Sequence, residues 1–322
     1  MSRAPSHAAG LHPLGFVALP AHARPGGFDH AAVHRGRARL FVAHTANDAI
    51  DVIDTRDPRL IDSIGGLAGV AGALVDEASD LLFTSNRGED TVGILELRKG
   101  GAPAKVAVGA RPNGLAYDPQ RRLLLCANVG DPARAGAPSV TLVDVAVRAA
   151  VGQITMPGRT RWAIHDPDRG LFFVNIADPP AIVMIDPATP DRIAGRFAMP
   201  ARGPHGLDLD PRRGRLYCAC DDARLLAVDA GSGAALATLE LSGGPDVVFL
   251  NAALDRLYVA IGDPGVIDVI DVAGWRRVAT VPTETGAHTI GFDPVANRVY
   301  AFLPGSHRAA VFADPGGEGG AS

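Results

Sequence analysis

Residues 256–261 read RLYVAI, and six further segments repeat that phrase: RLFVAH (39–44), LLFTSN (81–86), LLLCAN (123–128), LFFVNI (171–176), RLYCAC (215–220) and RVYAFL (298–303). Successive copies start 42, 42, 48, 44, 41 and 42 residues apart. A period of about 40 to 45 residues, with several short strands in each, is the pattern of a β-propeller in which every repeat forms one four-stranded blade. The fold class read from the chain is therefore all-β, a seven-bladed β-propeller with antiparallel blades.

Alternation and turn residues lay out the strands within each copy. In the third, GLAY (114–117) turns at Asp118-Pro119 into LLLCAN, followed by SVTLVDV (139–145) and a fourth strand at 149–156. Third strands recur as AIDVIDT (49–55), AIVMIDP (181–187) and VIDVIDV (266–272), β-branched runs suited to packed sheets. The seventh copy has three strands and then a glycine-rich end, ADPGGEGGAS (313–322). LGFVALP (14–20) resembles the fourth strand of copy six, RRVATVP (276–282), so the N-terminal strand is expected to complete blade seven and close the ring. Residues 13–314 then make one domain, with mobile tails at 1–12 and 315–322. LGFVAL followed by Ala21-His22-Ala23 also has the outline of a weak secretory signal, with an apolar stretch shorter than usual.

The formal net charge is −4 over 322 residues, with 20% charged side chains. That balance lacks the basic excess a phosphate backbone demands, so nucleic acid is not an expected partner. No apolar run approaches the ~18 residues needed to cross a bilayer, and no membrane association is expected. Cys126, Cys218 and Cys220 are too few to be a disulfide framework in so long a chain. Cys218 and Cys220 share a sheet face and read either as packed core thiols or as paired soft ligands. A reducing cytoplasm fits this usage, and a monomer is expected.

Asp118-Pro119, Asp166-Pro167, Asp210-Pro211 and Asp293-Pro294 recur where the first strand turns into the second. Asp accepts hydrogen bonds from the backbone ahead of it and Pro fixes φ, so these pairs are turn chemistry. His165, just before one of them, reads as a packed strand residue. GDPARAGAP (130–138) lengthens copy three and reads as a surface loop.

One column does not recur. At the start of the first strand, innermost in a propeller, stand Asp29, Ala71, Asn113, Arg161, His205, Asp246 and His288. These side chains are expected to converge on one mouth of the central channel. His205, His288, Asp246 and Asp29 are donors suited to a divalent metal ion that would polarise a carbonyl or acidify a bound water. Asn113 and Arg161 would orient the substrate. Without a metal, a His–Asp pair would act as general base with Arg161 as anion clamp, and His30 adds another imidazole. The same column also fits a purely structural polar ring. Loops between second and third strands rim this face and supply His44, Asn86, Asn128, Asp221, Asp222 and others, read as mostly solvated. Arg87 and Glu89, in NRGED (86–90), are expected beside Ala71 as further catalytic candidates. No G-x-S-x-G, H-E-x-x-H, Walker or dinucleotide motif competes with this column.

GPHGLDLDPRRGRLYCAC (203–220), GPDVVFLNAALDRLYVAI (244–261) and GAHTIGFDPVANRVYAFL (286–303) resemble the YVTN type of bacterial propeller repeat. Over residues 14–314 the chain is similar to the YncE-like family. That resemblance implies the propeller fold; relatives include binding proteins, lyases and lactonases, and many are exported, which pulls against a cytoplasmic location. In the lactonase-type relatives a divalent metal held by Glu, Asn and Asp at the channel mouth activates a water, and His205 and His288 depart from that set. Three functions are expected. The first is a metal-assisted hydrolase or lactonase acting on a small molecule. The second is a non-catalytic module that binds a ligand or a protein partner. The third is a metal-independent lyase or isomerase with a channel histidine as base.

Overall fold

The repeated phrase forms the second strand of every blade. That strand lies between two others in its own sheet and between two neighbouring blades, so both of its faces are covered. All six residues of Leu81–Asn86, Leu123–Asn128 and Arg256–Ile261 are buried, which is why the phrase is an apolar run rather than an alternating one. The computed structural model describes residues 10–134 and 136–316. In it, seven four-stranded antiparallel sheets are arranged around a central channel.

The inner strands are Ala31–His34, Val70–Asp76, Pro112–Asp118, Thr160–Asp166, Pro204–Asp210, Pro245–Asn251 and Ile290–Asp293, in blades one to seven. Each touches the inner strand of the blade on either side, and Ile290–Asp293 touches Ala31–His34, so the ring is closed. Seven apolar clusters, one per blade interface, hold it together. Between blades three and four, for example, Leu125, Ala127 and Leu142 pack on Phe172 and Val174. Asp118, Asp166, Asp210 and Asp293 each accept backbone N–H groups two or three residues ahead, as turn chemistry requires.

The fourth strand of blade seven is N-terminal. His12–Ala18 runs antiparallel to Arg308–Ala313, pairing His12 with Ala313 and Ala18 with Arg308. Val17 and Leu19 enter the cluster that contains Tyr300, Phe302 and Leu40, which span the seam between blades seven and one. The strand begins two residues before the expected LGFVALP, and Leu11 is buried in the preceding interface. The folded chain thus includes Leu11 and His12, which a tail of residues 1–12 would leave out. Residues 1–9 and 317–322 of the expected tails lie outside the described residues.

Three rim residues differ from the solvated reading. His44, Asn86 and Asn128 are fully buried, because each closes the apolar second strand and finds a polar partner there: Asp51 for His44 at 2.7 Å, Thr91 for Asn86 at 3.0 Å, and Ser139 for Asn128 at 3.1 Å. The inserted loop is tied to blade two by Arg134, 2.8 Å from Asp90. The three cysteines are free and buried, and burial raises the Cys126 thiol far above its ordinary pKa, as befits core packing. Among the described residues no helix is long and apolar enough to cross a membrane.

Closure at the seam is testable by contrasting its two faces. Val17→Asp places a carboxylate among the buried side chains of the seam and is expected to cost about 3 kcal/mol or more. Leu14→Asp, on the exposed face of the same strand, is expected to stay within about 0.5 kcal/mol of the parent. Guanidinium unfolding of both variants checks the difference; equal effects would mean that the strand does not seal the ring.

Candidate functional site: the charged mouth of the channel

The first link is a backbone irregularity. In blades three to six the inner strand carries one extra residue against its partner, as where Pro112 pairs with Asn128 but Leu115 with Cys126. Such a bulge re-aims the side chains at that point, and it falls on Asn113, Arg161, His205 and Asp246. In blades one and seven the inner strand starts later, leaving Asp29 and His288 just before it.

The residue after the column is glycine in three blades, for a reason of space. A Cβ on Gly72, Gly114 or Gly206 would lie 2.5–2.6 Å from the backbone oxygen of Asn113, Arg161 or Asp246, the column residue of the next blade. Two of the bulge's carbonyl groups are satisfied from the preceding blade: Ser85 donates to the Asn113 oxygen at 2.7 Å, and Asn175 to the His205 oxygen at 2.9 Å. Blade packing thus holds the backbone of the column while the side chains stay free for other contacts.

Two charged groups result. On one side Arg87 joins blades one, two and three, 3.1 Å from Asp29 and 2.5 Å from the Asn113 side-chain oxygen. On the other, His205 lies between two carboxylates. Its Nδ1 is 2.7 Å from Asp221 and its Nε2 is 2.9 Å from Asp246. Arg161 is 3.2 Å from Asp221 and 3.0 Å from the His205 Nε2. His288 stands off at 3.9 Å from Asp246. Beneath them His30 is buried, 3.4 Å from Asp29, with its ring centroid 4.1 Å from that of Trp162.

Electrostatics decides the state of His205. Burial works against its charge, but the carboxylates of Asp246 and Asp221 outweigh burial and the nearby Arg161, raising the imidazole pKa to about 9. Burial likewise opposes ionisation of Asp246, and the His205 charge and hydrogen bond reverse that and hold its pKa well below the usual range. At neutral pH His205 is thus an imidazolium that donates from both nitrogens, with Arg161 the unfavourable neighbour that two carboxylates compensate. For His30, burial dominates and lowers the pKa, so it is neutral. Arg159 is lowered first by burial and then by Arg161, Arg111 and Arg87, which records four guanidinium groups near one another. The Nε atoms of Arg87 and Arg161 are buried without a hydrogen-bond partner.

The column therefore converges, but not as one ligand set. Among the described residues no three His, Cys, Asp or Glu side chains are grouped to hold a metal ion. His205 is held between Asp221 and Asp246, Asp29 is engaged by Arg87, and His288 stands 3.9 Å from Asp246, so His205, His288, Asp246 and Asp29 are placed as ion pairs rather than drawn together as one set. Glu89 turns out of the mouth, since Lys105 holds it at 2.8 Å and Thr91 donates to it. Asp221, one of many rim carboxylates in the sequence, is as close to His205 as any column residue. Nothing in the sequence singled it out, because its loop is brought there only by the pairing of Pro204 with Cys220.

An imidazolium between carboxylates has a pH signature. The His205 pKa lies above its unfolded value, so its stabilising effect is complete below about pH 6.5 and is lost as pH rises through about 9. NMR titration of the imidazole is expected to give that midpoint, and Asp246→Asn to move it back toward the ordinary histidine value. An unshifted midpoint in the parent protein would contradict the arrangement.

No family model and no curated protein sequence matches the chain. Solved structures do. One from "Kuenenia stuttgartiensis Hydrazine Synthase" superposes with a TM-score of 0.78 at 15% identity, covering 91% of this chain and 96% of the other. One from "Crystal Structure of Mitotic Checkpoint Complex" gives 0.79 at 10% identity, covering 97% and 95%. Identities this low speak for architecture alone, and with the seven closed sheets they make the chain a seven-bladed β-propeller.

Proposed function

We propose that this propeller binds a small carboxylate-bearing molecule at the charged mouth, with the His205 imidazolium as its proton or hydrogen-bond donor, and that it belongs among the YVTN-type, YncE-like propellers its repeats resemble. The grouping of Arg87, Arg111, Arg159 and Arg161 around the channel mouth carries the reading, because Arg159 is crowded by like charge that an anion would relieve. Among the described residues Arg159 and Arg111 have no carboxylate ion-paired with their side chains, unlike Arg87 with Asp29 and Arg161 with Asp221. Guanidinium groups favour planar carboxylates, which they can hold with two parallel hydrogen bonds.

The state of His205 selects among the chemistries. A histidine held protonated at neutral pH is an acid, not a base, so it serves a bound oxyanion by donation. A metal-assisted hydrolase would require His205 to lose a proton and free one ring nitrogen from its carboxylate first. A donor flanked by guanidinium groups suits binding, or a lyase- or isomerase-type reaction in which negative charge builds on a substrate oxygen.

Calorimetric titration with succinate and with its neutral diamide tests this. Succinate is expected to bind and the diamide not to, with affinity falling as salt is raised. Arg159→Ala and Arg161→Ala are each expected to weaken succinate about tenfold, the loss of one charge-assisted hydrogen bond. Equal binding of acid and diamide, or of neither, would overturn the reading.

A further inference from the structure

Below the charged mouth the channel opens into a second space with different chemistry. A chamber of about 690 Å³ is lined by Leu74, Leu115, Ile164, Leu250 and Phe292, and by the prolines of the Asp-Pro turns. Those turns lie at the opposite end of the inner strands from the column, so the chamber is reached from the other face of the ring. His30 and Trp162 both line it, their rings 4.1 Å apart and tilted by 43°. Phe249 meets Trp162 edge-on at 6.4 Å. Its volume falls within the range of about 300 to 1,000 Å³ typical of small-molecule sites.

Three residues deeper than the column, a second ring can be read around the channel: Ala32, Leu74, Ala116, Ile164, Asp208, Phe249 and Gly291. One carboxyl stands among six apolar positions. Asp208 accepts backbone N–H groups from Leu209 at 2.8 Å and from Leu250 of the next blade at 2.7 Å. No cationic side chain pairs with it among the described residues. Burial, partly offset by those two hydrogen bonds, raises its pKa to about 6, with Asp210 adding to the rise; at neutral pH it is a carboxylate partly open to the chamber, whose wall also carries Asp76 and an Arg35 already held by Glu77 at 2.8 Å. His165, also in the wall, has a buried Nε2 without a hydrogen-bond partner, 3.6 Å from Asp118.

We propose that this chamber binds a small apolar amine, its ammonium group paired with Asp208 and its hydrocarbon body against Trp162, Phe249 and the aliphatic wall. An unpaired carboxylate in a desolvated wall favours a cation and repels an anion. Aromatic faces add to that preference, and apolar walls favour a ligand that is mostly hydrocarbon. The two backbone hydrogen bonds fix the carboxyl without neutralising it, which leaves the charge for a ligand. The proposal is independent of the carboxylate site at the mouth, whose groups carry the opposite preference.

The test uses the whole protein and three matched probes, 2-naphthylmethylamine, 2-naphthylmethanol and 2-naphthoate, with calorimetry at pH 7.5. The amine is expected to bind at least tenfold more tightly than the alcohol, with naphthoate weaker still. Asp208→Asn keeps one of the two oxygen acceptors that hold Leu209 and Leu250 and is expected to bring amine and alcohol to equal affinity. In the parent protein, amine affinity is expected to fall as pH drops below about 6, where Asp208 gains its proton, while alcohol affinity holds constant. That second measurement stands even if the variant folds poorly. Equal binding of amine and alcohol, an amine preference that survives in Asp208→Asn, or no binding by any probe would overturn the proposal.

Discussion

The structure depends on a closed circle of side-chain packing in which each blade's apolar face is covered by the blade before it and the blade after it. Seven similar interfaces and the pairing of His12–Ala18 with Arg308–Ala313 set the ring, and Trp162 reaches across the channel to His30 and Phe249. Chain ends far apart in sequence become neighbours in one sheet. Every inner-strand residue takes its place from this geometry, including those of the mouth, which come from blades that share no local sequence.

Within that ring, each level along the channel has its own chemistry because side chains at equal depth come from equal repeat positions. At the mouth, carboxylates, guanidinium groups and an imidazolium compensate one another in water-accessible pairs. A little deeper, His30 loses its charge to burial and lies against Trp162. Deeper still, Asp208 stands in a mostly hydrocarbon wall. The contrast follows from solvation: opposite charges stabilise one another at the open end, while burial penalises any charge that lacks a partner.

The fold was legible because a propeller repeats its burial pattern. LLLCAN and RLYVAI each carry five consecutive apolar residues because both faces of the strand are covered, and that signal survives wherever the phrase recurs. The column was legible for the converse reason, as the polar positions in an otherwise apolar frame. What stayed hidden depended on contacts between blades. The bulges that re-aim Asn113, Arg161, His205 and Asp246 leave no mark except the glycines beside some of them. Glu89 sits next to Arg87 in NRGED, yet Lys105 draws it away, and nothing local tells those two fates apart. His44 looked like a loop residue because its partner, Asp51, lies on the next strand. Asp208 lies unmarked within GLDLDP, and its setting appeared only with the chamber around it.

The glycines that let one blade's bulge rest on the next blade's carbonyl have a consequence for how such a protein can change. Gly72, Gly114 and Gly206 seat the backbone of the following column residue by contact with its carbonyl oxygen, whatever side chain that residue bears. Main-chain position and side-chain identity are therefore decoupled at the mouth. Blades three, four and six thus offer slots, at Asn113, Arg161 and Asp246, whose side chains can be rewritten over an unchanged main chain, so the ring can acquire new chemistry there by single substitutions while its architecture is inherited intact.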